Sequence, residues 1–237
     1  MQYPHRVNMA HSDATKKKIL VSIPVEDRQL DGVINVPCSS SWAGCAVVLT
    51  HGAGGDMNFH HLERIACRLA HSGILCLRFT CKTPNFKYRI RCFEAVLHFL
   101  RGHDDFAIAK CIIAGRSMGA RVAAELATIS NLTNQFIFGV ACLSYPLHPP
   151  RKFSELRTSS LIHLGIPVLF VSGTKDHQCH KDLMDSVLDK MGTDWKMHWV
   201  EKADHSLNIN NKPNNELIDM MCEWVVTWCQ SVFMAER

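Results

Sequence analysis

Cys111-Ile112-Ile113-Ala114-Gly115-Arg116-Ser117-Met118-Gly119-Ala120 reads as a short apolar strand, a Gly-x-Ser-x-Gly turn and a helix that opens at about Met118. A serine in such a turn is held in a strained backbone conformation, with its hydroxyl exposed at the carboxyl end of the strand. Gly115 and Gly119 stand two residues to either side, where the turn is too tight for a Cβ. The helix that follows aims its free N–H groups and positive dipole end at the same point, so an anion forming there would be stabilised. Five residues of this kind recur by chance, and context is what separates this stretch. An apolar strand precedes it, and Val122, Leu126 and Ile129 follow at helical spacing, with Ala123, Ala124 and Ala127 between them.

Outward from the turn, strands alternate with helices. Cys45–Thr50 is a continuous apolar run, as expected of a parallel strand buried on both faces. It ends in His51-Gly52-Ala53-Gly54-Gly55-Asp56. A helix from about Asn58 to His71 presents Leu62, Ile65, Ala66 and Leu69, and Gly73 stops it. Ile74–Phe79 is a strand, and Tyr88 to about Arg101 is a helix with Ile90, Phe93, Val96, Leu97 and Leu100 inward. Phe136–Leu143, Pro167–Ser172 and Trp195–Val200 read as further strands, with helices over Leu183–Met191 and Asn215–Phe233. The last of these presents Leu217, Met220, Met221, Trp224, Val225 and Trp228 as its apolar face. Towards the N-terminus, Ile19–Ile23 and the alternating Leu30–Val36 form an antiparallel hairpin at a sheet edge, the second strand having one wet face. Pro37-Cys38-Ser39-Ser40-Ser41 is a loop, and Met1 to Thr15 is polar and frayed. The expectation is one α/β domain over residues 16–237, with a mostly parallel central sheet, an antiparallel N-terminal edge and helices on both faces.

The 237 residues suffice for one such domain, and 47% of them are hydrophobic. A net charge of +4 is mild, and Lys16-Lys17-Lys18 is the one basic run, so no nucleic-acid footprint is indicated. No apolar run reaches the length of a membrane span. The 11 cysteines are odd in number, spread through apolar segments and without a Cys-x-x-Cys pair. With a polar N-terminus, this points to reduced, buried thiols in an intracellular protein, cytoplasmic with a nuclear place left open. The sequon Asn131-Leu132-Thr133 would then stay unused.

In open α/β sheets the site lies at the carboxyl ends of the strands. A serine there needs a base to take its proton, and the base needs a group to orient it and stabilise its charged form. Ser117, Asp176 and His205 each stand just past an expected strand, in the chain order of an α/β-hydrolase triad. The bland alternatives are a helix-capping role for Asp176 and a solvated loop for His205, one of 14 histidines. Asp182 and Asp185 fall inside a helix, and Asp204 adjoins His205, which makes them poorer candidates for the acid. An oxyanion needs two preorganised donors. The backbone N–H of Met118 is one, and that of Ala53, in the glycine-rich loop, is the other. No phosphate-binding pattern follows that loop. No metal or cofactor is called for: His60-His61 and His177-Gln178-Cys179-His180 lack a second ligand pair and read as surface histidines. Cys81 and Cys179 read as small hydrophobes rather than reactive thiols.

These residues resemble a family. His51-Gly52-Ala53-Gly54-Gly55-Asp56-Met57-Asn58, Leu77-Arg78-Phe79-Thr80, Gly115-Arg116-Ser117-Met118-Gly119, Ser144-Tyr145-Pro146-Leu147-His148 and Val171-Ser172-Gly173 are similar to the testis-expressed protein 30-like α/β-hydrolases. Subunit 3 of the NSL chromatin complex is a more distant member, and dienelactone-hydrolase-like enzymes are related. The similarity spans about residues 17 to 233. It implies the α/β-hydrolase fold and matches Ser117, Asp176 and His205 to the family's triad positions. Dienelactone hydrolases proper use a cysteine nucleophile; position 117 is serine, so lactone chemistry is not implied.

About two dozen residues connect the Phe136–Leu143 strand to the Pro167 strand. That allows one small helix within Phe153 to Leu164, a minimal lid, and a shallow pocket lined by Phe59, Tyr145, Leu147 and Met118. A serine hydrolase acting on a small acyl ester or thioester is the first expectation. The alternative is a binding or scaffold protein that keeps the fold and engages a protein partner. An Asp176 too far from His205 to bond it would favour that alternative.

Overall fold

The apolar run Cys45–Thr50 forms β3, and all six of its residues are buried. In the computed structural model, which describes residues 17–37, 44–210 and 212–235, it lies near the middle of an eight-stranded sheet. The N-terminal residues expected to fray, and residues 38–41 of the expected loop, lie outside the described residues. The strands are β1 (Lys18–Val25), β2 (Arg28–Asn35), β3, β4 (Leu75–Phe79), β5 (Lys110–Arg116), β6 (Ile137–Leu143), β7 (Val168–Gly173) and β8 (Trp195–Val200). They run in the order β1-β2-β4-β3-β5-β6-β7-β8. β1 and β2 pair antiparallel, as does β2 with β4, and every other neighbouring pair is parallel. The α/β-hydrolase fold expected from the sequence is therefore the one adopted.

The helices follow from local chemistry. They are α1 (His60–His71), α2 (Phe86–Arg101), α3 (Met118–Ile129), the single turn α4 (Ser159–Ile162), α5 (Lys181–Leu188) and α6 (Asn215–Met234). Asn85 caps α2 by accepting from the Tyr88 amide at 3.0 Å, so the helix starts before Tyr88. Asn214 does the same for α6 through the Leu217 amide at 3.1 Å. α1 starts later than expected, because Asp56 Oδ1 accepts from the Asn58 amide and holds that residue in a turn. α2, α3 and α5 cover one face of the sheet. α1 and α6 cover the other, joined by the ion pairs Arg64–Asp219 and Arg68–Glu223.

Three burial expectations change. β2 keeps its wet face only at Gln29 and Asp31: on the same side Val33 and Asn35 are buried, as Leu30 and Ile34 are on the other, because α1 packs against that end of the strand. The alternation belongs to the edge strand β1 instead. Ile129, at the end of α3, and Met220, on α6, are exposed. Among the described residues, no helix is long and apolar enough to cross a membrane.

The chain steps from β3 to β4 on one side, then returns past β3 to β5 and continues outward in the opposite direction. A reversal of this kind leaves a crevice outside the carboxyl ends of the two strands where it occurs. Those strands are β3 and β5, so the His51–Asp56 loop and Ser117 open into the same crevice.

Candidate active site

Ser117 is forced into place by sterics. Its φ is 52° and its ψ is −118°, a region that costs a non-glycine residue about 1–3 kcal/mol and persists only where the surroundings over-determine it. They do so here. The Ser117 amide donates to the Leu143 carbonyl on β6 at 2.8 Å, and the Ser117 carbonyl accepts from the Ala120 amide at 2.9 Å. A Cβ on Gly115 would collide with the backbone of Gly119, and one on Gly119 would meet the His51 carbonyl at 2.6 Å. The turn therefore exists only with glycine at both positions.

The structure brings the three separated residues together. Ser117 Oγ lies 2.8 Å from His205 Nε2. His205 Nδ1 lies 2.8 Å from Asp176 Oδ2. A carboxylate can only accept, so Nδ1 carries the proton and the Nε2 lone pair faces the serine hydroxyl. The Asp176 side chain is fully buried, and its other oxygen accepts from the Gln178 amide at 2.8 Å. It does not cap α5, whose cap position is His180. Asp204 is not a rival acid: its Oδ1 accepts from the amides of Ser206 and Asn208 and shapes the turn that carries His205. Asp182 and Asp185 lie within α5, as read from the sequence, and Asp185 pairs with Lys181.

Gly173, at the end of β7, is a site residue that the sequence reading missed. A Cβ there would run into the backbone of Ala203, so glycine lets the loop after β8 sit directly on the end of β7. The Thr174 and Lys175 amides then donate to the carbonyls of Val200 and Ala203 at 3.0 and 2.9 Å. That contact is what brings Asp176 and His205 within bonding reach. The available signal was a glycine at a strand end three residues before an acid.

His51 is the second omission. Its Nε2 accepts from the Cys81 amide at 2.9 Å, so its proton resides on Nδ1, 2.6 Å from the Gly52 carbonyl. Burial, reinforced by the Arg89 charge, pushes its pKa down to about 4, which keeps the ring neutral. The Gly52 carbonyl and the Ala53 N–H are opposite ends of one planar trans peptide. With the carbonyl turned onto the buried imidazole, the Ala53 N–H faces the other way. Ala53 is exposed, and a Cβ on Gly52 would stand 3.3 Å from Ser117 Cβ. Met118 N begins α3, and no hydrogen bond holds it or Ala53 N among the described residues. Two unclaimed amides thus flank the serine. A serine hydroxyl on an imidazole, that imidazole on a buried carboxylate and two free amides beside them make an arrangement suited to acyl transfer.

The expected pocket lining needs correction. Phe59 is half-buried beside the His51–Asp56 loop. Tyr145 and Leu147 line nothing: both are buried in the core on the face covered by α2, α3 and α5. The physical reason is a return of the chain. The Tyr145 hydroxyl donates to the Arg157 carbonyl at 2.9 Å, and the Arg157 amide donates to Leu147 O at 2.7 Å, which folds the connection down over both residues. His61 is not a surface histidine: it is buried and neutral, its pKa pushed down to about 3, chiefly by burial. His60, His177 and His180 are exposed. No three His, Cys, Asp or Glu side chains gather as a metal cluster among the described residues. Cys179 is buried, which pushes its thiol up to about 12. Cys81 is equally buried; the neighbouring Cys92 thiol, as hydrogen-bond partner, draws its pKa down.

The family model that matches this chain is described as an alpha/beta hydrolase domain and covers residues 43–232. Among solved structures, dienelactone hydrolase from Anabaena variabilis is 16% identical, with a TM-score of 0.72 over 92% of this chain and 99% of that one. Est1E from Butyrivibrio proteoclasticus is 14% identical, with a TM-score of 0.76 over 91% and 99%. XC6422 from Xanthomonas campestris, described as a serine hydrolase without a lid, is 15% identical, with a TM-score of 0.68 over 95% and 98%. At these identities the likeness is one of fold.

Proposed function

This chain belongs to the α/β-hydrolase family, and from that premise we propose that it is a serine hydrolase. Its substrate is a small carboxylic ester or thioester, cleaved through an acyl-enzyme. The observation that carries the reading is the unbroken relay from Ser117 through His205 to Asp176, with both contacts at 2.8 Å. Ser117 Oγ attacks the acyl carbon as His205 Nε2 takes its proton. Asp176 holds the imidazole in the required tautomer and stabilises the imidazolium. The Ala53 and Met118 amides receive the negative charge on the former carbonyl oxygen. His205 returns the proton to the leaving alcohol or thiol. It then activates water to release the acid.

Residues 144–167 hold only the one-turn helix α4, which supports an open site with Phe59 at its margin and a short acyl group. Within the family, the motifs favour the testis-expressed protein 30-like group, with residues 16–237 as one domain. The cysteines favour an intracellular setting: the ten described are all free, and nine are buried. A scaffold role was to be favoured by an Asp176 out of reach of His205, and the 2.8 Å contact gives it no such support.

The test is labelling of the purified chain with a fluorophosphonate probe, which requires a serine activated by its base. Wild type labels, and Ser117→Ala and heat-denatured protein do not. A well-folded wild type that neither labels nor cleaves p-nitrophenyl esters overturns the reading.

A further inference from the structure

The residue before the nucleophile carries a half-buried charge that the mechanism above does not use. Arg116 ends β5, and its guanidinium lies with Cζ 4.5 Å from the centre of the Phe59 ring. Burial pulls its pKa down, against the opposing pull of the more distant Asp176 and Asp204 charges. Among the described residues no carboxylate lies within ion-pair distance of it, and its Nε is buried without a hydrogen-bond partner. A guanidinium in that state is costly, and an apolar side chain would cover Phe59 at lower cost. Costly arrangements without a return in stability mark functional positions.

The return lies in what Nη2 does. It donates to the His205 carbonyl and to Ser206 Oγ, each at 3.2 Å. His205 is carried by the loop after β8, an edge strand three places from β5 in the sheet, so it must reach back across the ends of β7 and β6. Its loop is tied firmly on the acid side, where Thr174 and Lys175 hold Val200 and Ala203. On the serine side, the reacting contact itself and the two bonds from Arg116 are the hydrogen bonds that join the elbow to this loop among the described residues. Phe59 beneath the guanidinium fixes its plane. Because Arg116 and Ser117 are adjacent, the same turn that sets the nucleophile also sets the clamp on its base.

We propose that Arg116 is a positioning residue: through the His205 carbonyl and the Ser206 hydroxyl it holds the histidine loop at the distance from Ser117 that proton transfer requires. This rests on the serine-hydrolase reading for its rate effect, but not for the clamp itself. Arg116 touches no reacting atom, so its loss acts on kcat rather than on KM.

The experiment compares wild type, Arg116→Ala and Arg116→Lys. With p-nitrophenyl butyrate, Arg116→Ala loses about 30- to 100-fold in kcat, the scale set by a misplacement of about 1 Å, with KM within about threefold. Millimolar guanidinium ion restores part of the lost rate, and Arg116→Lys is intermediate. Hydrogen exchange at residues 201–208 quickens in Arg116→Ala while exchange in the rest of the sheet is unchanged. The proposal is overturned by a folded Arg116→Ala with wild-type kcat, or by a rise in KM at constant kcat. A rate loss with a lowered melting temperature and no rescue by guanidinium overturns it too. If wild type cleaves no ester, it is the hydrolase reading that has failed, and the exchange comparison still decides the clamp, unchanged exchange at residues 201–208 overturning it. If Arg116→Ala does not fold, the same readouts on Arg116→Lys decide.

Discussion

The two halves of the site are built differently. On the Ser117 side, β3 and β5 are central strands, and Gly115 and Gly119 leave the backbone one conformation. His51 beneath that side is buried, with a partner on each ring nitrogen. On the His205 side, β8 is an edge strand whose first residues are exposed. Its loop passes through positive φ at Lys202 and Leu207 and is shaped by the Asp204 turn. Ser117 is held mainly by packing and His205 mainly by hydrogen bonds. Changes on the first side should cost stability and rate together, and changes on the second should cost rate alone.

Asp176→Asn is the largest test of that division. The asparagine keeps the shape but presents a wrong donor pattern to His205 Nδ1. A loss of about 10,000-fold in kcat is expected on the pattern of serine-protease triads, with urea unfolding shifted by no more than about 1 kcal/mol. A stability loss of several kcal/mol would show that the His205 side is also held by its buried carboxylate, and the contrast would fail.

His51→Phe tests the other half. The ring shape remains, but the Gly52 carbonyl and Cys81 amide lose their partner. About 2 kcal/mol of stability should go, the scale for an unpaired buried polar group. The Gly52–Ala53 peptide becomes free to turn, and kcat should fall about 100-fold, the low end for loss of one oxyanion donor. The same residue predicts a pH effect. Its pKa is about 4 when folded, against 6.5 ordinarily, so between those values the unfolded chain binds more protons. Stability is then complete above about pH 6.5 and is lost as pH falls towards 4, by about 3 kcal/mol for this ring. His61, pushed down to about 3, acts in the same direction. Denaturant titrations across this range should show the wild-type slope reduced in His51→Phe; an unchanged slope would mean that His51 is not held neutral.

How much could be read from the sequence follows the same divide. Strand periodicity and the turn glycines are local signals, and they led to Ser117, Asp176 and His205 because each lies in the loop or turn that follows a strand end. The His51–Gly52 bond and the approach of Ala203 to Gly173 are contacts between distant segments, which no periodicity encodes. Ile129 and Met220 continue their helices' apolar stripes in sequence, yet no neighbouring element reaches them. Tyr145 and Leu147 were misread for the converse reason: they follow a strand end, as site residues do, but Arg157 folds the chain back over them.

Tyr145→Phe is the smallest and most discriminating substitution. It removes only the hydroxyl that donates to the Arg157 carbonyl at 2.9 Å, inside a core that burial makes hostile to charge and in which the Tyr145 pKa is pushed well up. If Tyr145 belongs to the packed side of the molecule, the cost is about 1 kcal/mol of stability. Values of kcat/KM for acetyl, butyryl and octanoyl esters then stay in their wild-type ratio. If the return of residues 149–157 opens in solution and Tyr145 reaches substrate, those ratios change while stability does not. A change in chain-length preference would thus move the boundary between packing and site to the far end of the β6–β7 connection, and the lid would be the Arg157 turn rather than α4.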